Sequence, residues 1–583
     1  MPVFIALACF EQDYLWAAQE HNLFMHTPLF FRQCMVTAGG LLTWAGAYLT
    51  QFLYYPVLGA GVLCLLWAFL IALLNKTFRI PALWSVVTLV PIACLVVSIT
   101  DLGYWLFYLK LRGHIFDATV GTIIAVGLVW VYRLLPARIA LRTLWVAAVG
   151  IVGYPLFGFY GLFAVALMGI VGRRWVDGLV AAVVIAGVPL ICYHTLFHET
   201  NIVNIYWTGL PVFWHLEKQY FAYSVPYLVL FVSIGLMAVG VGGGTLADSG
   251  WRRVGRYGIL AAVFACTSYY WYKDDNFHRE LAMSRSIGKT DWEGVVRTAD
   301  KVRGEPTRAI CMMRNVALAR LGRQGDEMFR HPNGAKRPES PFPIRLVHTD
   351  GRMLYLQYGL PNYCYRWCME DGVEYGWDVE KLKLMVKCSL LNKEFVAAQK
   401  FINMLKKTDF HAAWAKRYEE YIRNPQLMTN DQELVPIMRL MQNDNFLTAD
   451  QAQMERFLIE HFTYAEGSDP LLQEQSLIAS LQSKDMALFW KQFYQYTQLH
   501  PGVHVPVHYQ EAACLFGHLG NIDVSHMPFD PAVVQDYQNF VGLVGKYRQQ
   551  GKSMDEIQPL VYDLFHTTYY YDFYFNHYNY VEN

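Results

Sequence analysis

Apolar residues fill the first half of the chain in long runs, and from Lys273 onward they give way to a periodic mixture of apolar and polar positions. A bilayer core of roughly 30 Å requires about 20 apolar residues in a helix, because a helix satisfies its own backbone groups where no water is present. Runs of this kind cover residues 52–74, 81–99, 115–132, 176–197, 225–241 and 257–272. Residues 145–172 form a longer run interrupted by Gly153-Tyr154-Pro155 and by Gly158, which predicts two short helices joined by a tight turn. The first 272 residues therefore read as a transmembrane helical domain of about eight spans. Residues 1–10 are apolar too, but as a helix they reach only about 15 Å, half a bilayer. They lack the charged start and cleavage site of a signal peptide, and read as a stub entered part-way through a span.

Orientation follows from the basic residues, which collect on the cytoplasmic side of membrane proteins. Lys76 and Arg79 form one cluster, Arg133, Arg138 and Arg142 a second, Arg173 and Arg174 a third, and Arg252, Arg253 and Arg256 a fourth. With residues 145–172 counted as two helices, all four fall on one side. The opposite side then carries the segment before Gln51, the 101–114 and 198–224 loops, and everything after Lys273. The expected location is a bacterial inner membrane, with the C-terminal domain in the periplasm. The 101–114 loop, with Tyr104, Trp105, Phe107 and Tyr108 followed by Lys110, Arg112 and His114, reads as an interfacial or re-entrant piece.

From Phe277 the apolar positions recur three and four apart, as in helices. In residues 381–407, Leu382, Leu384, Met385, Leu390 and Leu391 line one face and Phe395, Ala398, Phe401, Ile402 and Leu405 the next, with Asn392 at the corner. This is the pattern of a tetratricopeptide-like helix pair. Looser units cover 291–321 and 486–519. The fold class is thus all-α: a polytopic bundle followed, over 273–583, by an irregular extracytoplasmic α-solenoid. Residues 331–352, with four prolines, read as an extended excursion, and the tyrosine-rich tail of 567–580 as a cap on the last helix pair or a docking surface.

Composition narrows the chemistry. Of 583 residues only 16 % are charged, and the formal net charge of zero leaves no basic face for nucleic acid. The eleven cysteines have no paired spacing, and Cys364 and Cys368, one helical turn apart, lack partners at finger-like spacing. Gly240, Gly242, Gly243 and Gly244 are not followed by Gly-Lys-Ser/Thr, so they mark a flexible span end rather than a phosphate loop. Asp117 is the main charge within a span.

Two outward-facing polar sites remain. Glu11, Gln12 and Asp13 follow the N-terminal stub, with Glu20 and His21 beyond; carboxylates there can bind a divalent metal or act as a general base toward a lipid-phosphate substrate. His194, His198 and Glu199, with Asn201 and Asn204 beyond, form the second, the two histidines sharing a helix face. Solvated acids and interfacial histidines at span ends are the plain alternatives.

The stretch Glu11-Gln12 … Gly39-Gly40-Leu41 … Phe52-Leu53-Tyr54-Tyr55-Pro56-Val57-Leu58-Gly59-Ala60, with His198-Glu199-Thr200-Asn201 and the helical tail, resembles an uncharacterised multi-pass membrane family of Bacteroidota, a domain of unknown function. That resemblance covers nearly the whole chain and implies no activity. An acid after the first span, amphipathic helices before the second and a trailing soluble domain more remotely resemble glycosyltransferases of the C-type fold. Those enzymes take a sugar from a polyprenyl-phosphate carrier outside the cytoplasm. The resemblance implies Glu11 or Asp13 as the first-loop acid, though no second-loop acidic motif is present. Two expectations follow: a lipid-linked sugar transferase with Glu11, Asp13, His198 and Glu199 around an outward cavity, or a non-enzymatic scaffold whose solenoid gathers periplasmic envelope-assembly proteins.

Overall fold

In a computed structural model, residues 2–211, 218–240, 250–441, 450, 452–465 and 467–576 are described. Gly242, Gly243, Gly244, Tyr578 and Tyr580, and the side chains of Arg252 and Arg253, lie outside them. Every regular element among the described residues is helical. The chain forms two compact units. One comprises Met1–Lys273 together with Gly372–Glu380 and Asn403–Lys416, and the other Asp274–Asp371, Lys381–Ile402 and Arg417–Asn583.

The first unit opens with α1 (Pro2–Phe10), α2 (Gln12–Glu20), α3 (Pro28–Cys34) and α4 (Gly40–Thr50). The longer helices follow: α5 (Pro56–Phe78), α6 (Leu89–Thr100), the single turn α7 (Trp105–Tyr108), α8 (His114–Leu134), α9 (Ile139–Phe157), α10 (Phe159–Gly172), α11 (Trp175–Thr195), α12 (Val225–Val239) and α13 (Gly250–Tyr270). Six segments among the described residues are long and apolar enough to cross a membrane: α5, Ala82–Thr100, α8, α9, α11 and Tyr220–Val239. Their outer faces are apolar, with Leu65, Phe69, Leu144, Val183 and Leu236 all exposed. Such a surface is unfavourable in water and natural in lipid.

Boundaries differ from the periodicity in instructive places. Gln51–Tyr54 is a separate 3₁₀ turn and Tyr55 is extended, so the first long helix starts at Pro56, whose ring suits the opening turn of a helix. The run at 145–172 begins earlier, at Ile139, and breaks only at Gly158. Pro155 is absorbed within three residues of the α9 terminus. Gly158 adopts φ 58° and ψ −133°, a conformation open to glycine alone, and reverses the chain in one residue. The 101–114 loop turns inward: Tyr104 and Trp105 are buried, and the Trp105 ring meets Tyr220 and Tyr223 at 5.7 Å each.

Among the described residues, members of the first three basic clusters lie at helix ends tied to one another. Arg133 donates to the Thr77 carbonyl beside Lys76, whose ammonium lies over the Trp130 ring. Arg174 donates to the Ala137 carbonyl at 3.0 Å and Arg173 to that of Val239 at 3.4 Å. Asp177, fully buried, accepts from Tyr132 at 2.8 Å and Thr143 at 3.0 Å beneath them. Helix ends far apart in sequence are thus tied together by side-chain to main-chain bonds.

In the second unit, helices neighbouring in sequence pack on one another, for example Trp292–Ala299 on Arg308–Leu321 and Pro470–Gln482 on Met486–Leu499. Asp291, Thr307, Asp469 and Asp485 each cap the helix that follows them, accepting from a main-chain N–H of its first turn. The expected 381–407 pair occurs as Val379–Leu391 and Phe395–Leu405, with Lys393 in the left-handed conformation at the corner. Within the tail, Tyr569, Tyr570, Tyr571 and Phe575 are buried in the C-terminal core. A buried ion pair joins Arg352 to Asp371, which also contacts His348 Nδ1 at 2.8 Å.

Candidate functional site

The end of the first unit away from the basic clusters carries a group of polar side chains. α2 lies there: its Tyr14 hydroxyl donates to the Ile99 carbonyl at 2.6 Å, near the end of α6. Glu11, just before α2, is buried and accepts from the Trp271 indole at 2.6 Å. Asp13 stands half-buried in the first turn, where a carboxylate complements the helix dipole. At the far end of α2 the main chain turns out at His21, whose N–H still donates to the Ala17 carbonyl at 2.9 Å.

His21 is where the two distant segments of this unit become significant. Its Nδ1 lies 3.5 Å from Asp378 Oδ2 and 3.7 Å from Glu380 Oε2. The three side chains are 10, 4 and 22 % exposed, so the cluster is largely shielded from water. Phe107 packs edge-on against the imidazole at 4.9 Å between ring centroids and fixes its plane. Each residue offers one ligand atom, and all three atoms lie within 4.8 Å of one another. Two ligands held about 2.1 Å from a divalent ion in tetrahedral directions are themselves roughly 3.4 Å apart. The two separations from His21 Nδ1, 3.5 and 3.7 Å, are close to that. Two carboxylates and a neutral imidazole carry the charge a divalent cation neutralises, and nitrogen with oxygen donors suits zinc, manganese or iron better than copper(I).

The 403–416 segment is anchored beside α2 and α4. Asp409 contacts His26 Nε2 at 2.8 Å and accepts from the Gln51 amide at 3.1 Å. Phe410 stacks on Tyr54 at 5.3 Å, and His411 Nε2 lies 2.5 Å from Gln19 Nε2, both residues buried. Lys110 pairs with Glu374 at 2.7 Å, and Arg112 lies over the Phe30 ring. The two cations that break the one-sided charge pattern therefore have partners at this end. Burial pushes the Asp101 carboxyl, just beyond α6, up to about 7.

The fold treats the residues singled out from the sequence unequally. Glu11 and Asp13 begin the helix that ends at His21. His198 and Glu199 lie exposed on the loop after α11, as does His194 at the helix end. Asp117 is buried in α8, and neither of its carboxylate oxygens has a hydrogen-bond partner. The groups drawn within ligand distance are His21, Asp378 and Glu380. His21 was visible as a polar residue beside Glu20, but Asp378 and Glu380 flank the start of the Val379–Leu391 helix, where acidic residues are ordinary, and carry no local signal. Cys364 and Cys368 are buried and form no disulfide.

These features define a helical protein with apolar segments suited to a membrane and a ligand-like cluster at one end. Residues 1–576 match a protein family described as a family of unknown function (DUF6057), and the chain belongs to that family. Comparison with curated proteins returns no match, and comparison with solved structures returns none.

Proposed function

We propose that the protein is a multi-pass membrane enzyme that transfers a group borne on a lipid phosphate, using a divalent ion held by His21, Asp378 and Glu380. The observation that carries this reading is the cluster itself: three donors of ligand type, largely shielded, at one end of an apolar bundle. An ion so placed would neutralise the charge of a phosphate leaving group, the chemistry a lipid-linked sugar donor requires. Glu11 and Asp13, on the same helix, and His198 and Glu199 are the groups proposed to handle the acceptor proton. The six long apolar segments, together with α10 and α13, support eight crossings. The basic clusters support a cytoplasmic position for that end of an inner-membrane bundle, and with it a periplasmic position for the ion site and for the chain after Lys273. The sequence-neighbour helix packing of the second unit supports an α-solenoid there.

The test is metal content and transfer measured together. Protein purified in detergent and dialysed against Mn²⁺ or Zn²⁺ should retain about one ion per chain. Asp378→Asn and Glu380→Gln should each lower retention at least tenfold, and with it sugar release from a radiolabelled polyprenyl-phosphate donor. Full retention in both variants, or donor turnover unaffected by chelator, overturns the proposal.

A further inference from the structure

A second site lies at the same end of the first unit and goes beyond the activity proposed above. A cavity of about 330 Å³ opens between α10, the 202–211 segment and the Tyr220–Val239 helix. Its walls are aromatic. Phe159 stacks on Trp207 at 5.9 Å and tilts against Phe231 at 4.7 Å between centroids, and Phe221 and Tyr227 add further rings beside Leu210, Pro211 and Leu228. Phe221 and Trp207 are exposed at the mouth, on a face that the apolar segments present to lipid. In water such a cavity would close or fill with side chains. In a bilayer its surroundings are hydrocarbon, so a chain can enter without any desolvation cost.

Among the described lining residues, one buried side-chain polar atom lacks a partner. Ser224, at the N-terminal end of α12, lines the cavity, is 8 % exposed, and its hydroxyl has no hydrogen-bond partner. It does not cap its own helix either. A buried hydroxyl left unmatched costs free energy, and a serine O–H is satisfied by a single acceptor. Among the described residues the lining contains neither Lys nor Arg, so these residues offer no cation to a phosphate. It offers one unmatched donor at the level where a span begins, the depth of the ester groups of glycerolipids. The volume accepts roughly ten methylene-sized groups at ~30 Å³ each, one stretch of a single chain.

We infer that this cavity binds one acyl chain of a glycerophospholipid, with the ester carbonyl accepting the Ser224 hydroxyl. The aromatic walls grip the upper chain by packing, and Ser224 fixes its depth.

The experiment uses the full-length protein in nanodiscs containing phosphatidylglycerol with a photoreactive diazirine in the upper part of one acyl chain. After irradiation, adducts mapped by mass spectrometry should concentrate on Phe231, Leu228 and Phe159. Ser224→Ala should lower them at least threefold, and Ser224→Phe, which fills the cavity, should nearly abolish them. Unlabelled phosphatidylglycerol should compete. Adducts spread evenly over exposed positions such as Leu65 and Leu236, insensitivity to both substitutions, or displacement by polyprenyl phosphate but not by phosphatidylglycerol would each overturn the inference. Manganese retention at His21, measured on the same samples, reports the proposed ion site separately, so either reading can fail alone.

Discussion

Gly46 of α4 presses so closely on Asp117 of α8 that a methyl group in place of its hydrogen would overlap the Asp117 Oδ1 atom. The helices meet here with no room for a side chain on one partner, and the carboxyl fills the gap. Gly46→Ala should therefore force the pair apart and destabilise the protein by roughly 1–3 kcal/mol, as overpacking does. Asp117→Ala in the same chain should recover much of the loss. Thermal melts of the two single variants and the double variant in detergent measure the coupling; additive losses would show that the two residues do not share this space.

Asp101 makes stability depend on pH. Burial raises its carboxyl to about 7 in the folded protein, against an unfolded value of about 4. The folded state thus binds the proton more tightly, its contribution is complete below about pH 4, and it is lost as pH rises through about 7. The carboxyl is part-exposed, so the loss across that window should be roughly 1–2 kcal/mol. Asp101→Asn should flatten this part of the melting-temperature profile.

In the second unit, Arg352 and Asp371 are both buried. Burial alone would raise the Asp371 carboxyl, but Arg352 and His348 outweigh it and hold it below its ordinary value. Its stabilisation is present above the unfolded value and fades as pH falls through the lower folded one. Asp371→Ala leaves a buried guanidinium uncompensated and should cost about 3–5 kcal/mol. Arg352→Met added to Asp371→Ala should recover part of that, read as the urea midpoint.

The proposed sidedness predicts opposite labelling of two exposed positions. With Cys9 and Cys266 replaced by serine, Lys289→Cys should react with an impermeant maleimide in intact spheroplasts. Arg138→Cys should react only after lysis. The reverse pattern would invert the orientation.

The long apolar helices were legible because lipid demands a run of one character, and no tertiary contact is needed to see it. The break at Gly158 was legible as punctuation, but Pro155 beside it was not separable from a true helix end, since its ring clashes only with a preceding carbonyl that a terminal turn can release. The Pro56 start was hidden because Phe52, Leu53, Tyr54 and Tyr55 are as apolar as the helix after them. The ligand cluster was the least visible feature. Glu11 and His198 stood out as charges beside apolar runs, whereas Asp378 and Glu380 matter through proximity to His21, which no spacing along the chain encodes.

That proximity has a consequence for how the protein is made. Gly372–Glu380 and Asn403–Lys416 are structurally part of the first unit, yet they leave the ribosome long after its last membrane-type helix. A nascent chain paused at Lys273 would carry the imidazole and neither acid. Completion of the three-residue cluster must therefore wait for more distal translation, and a shortened gene product ending there would lack two of its three donors.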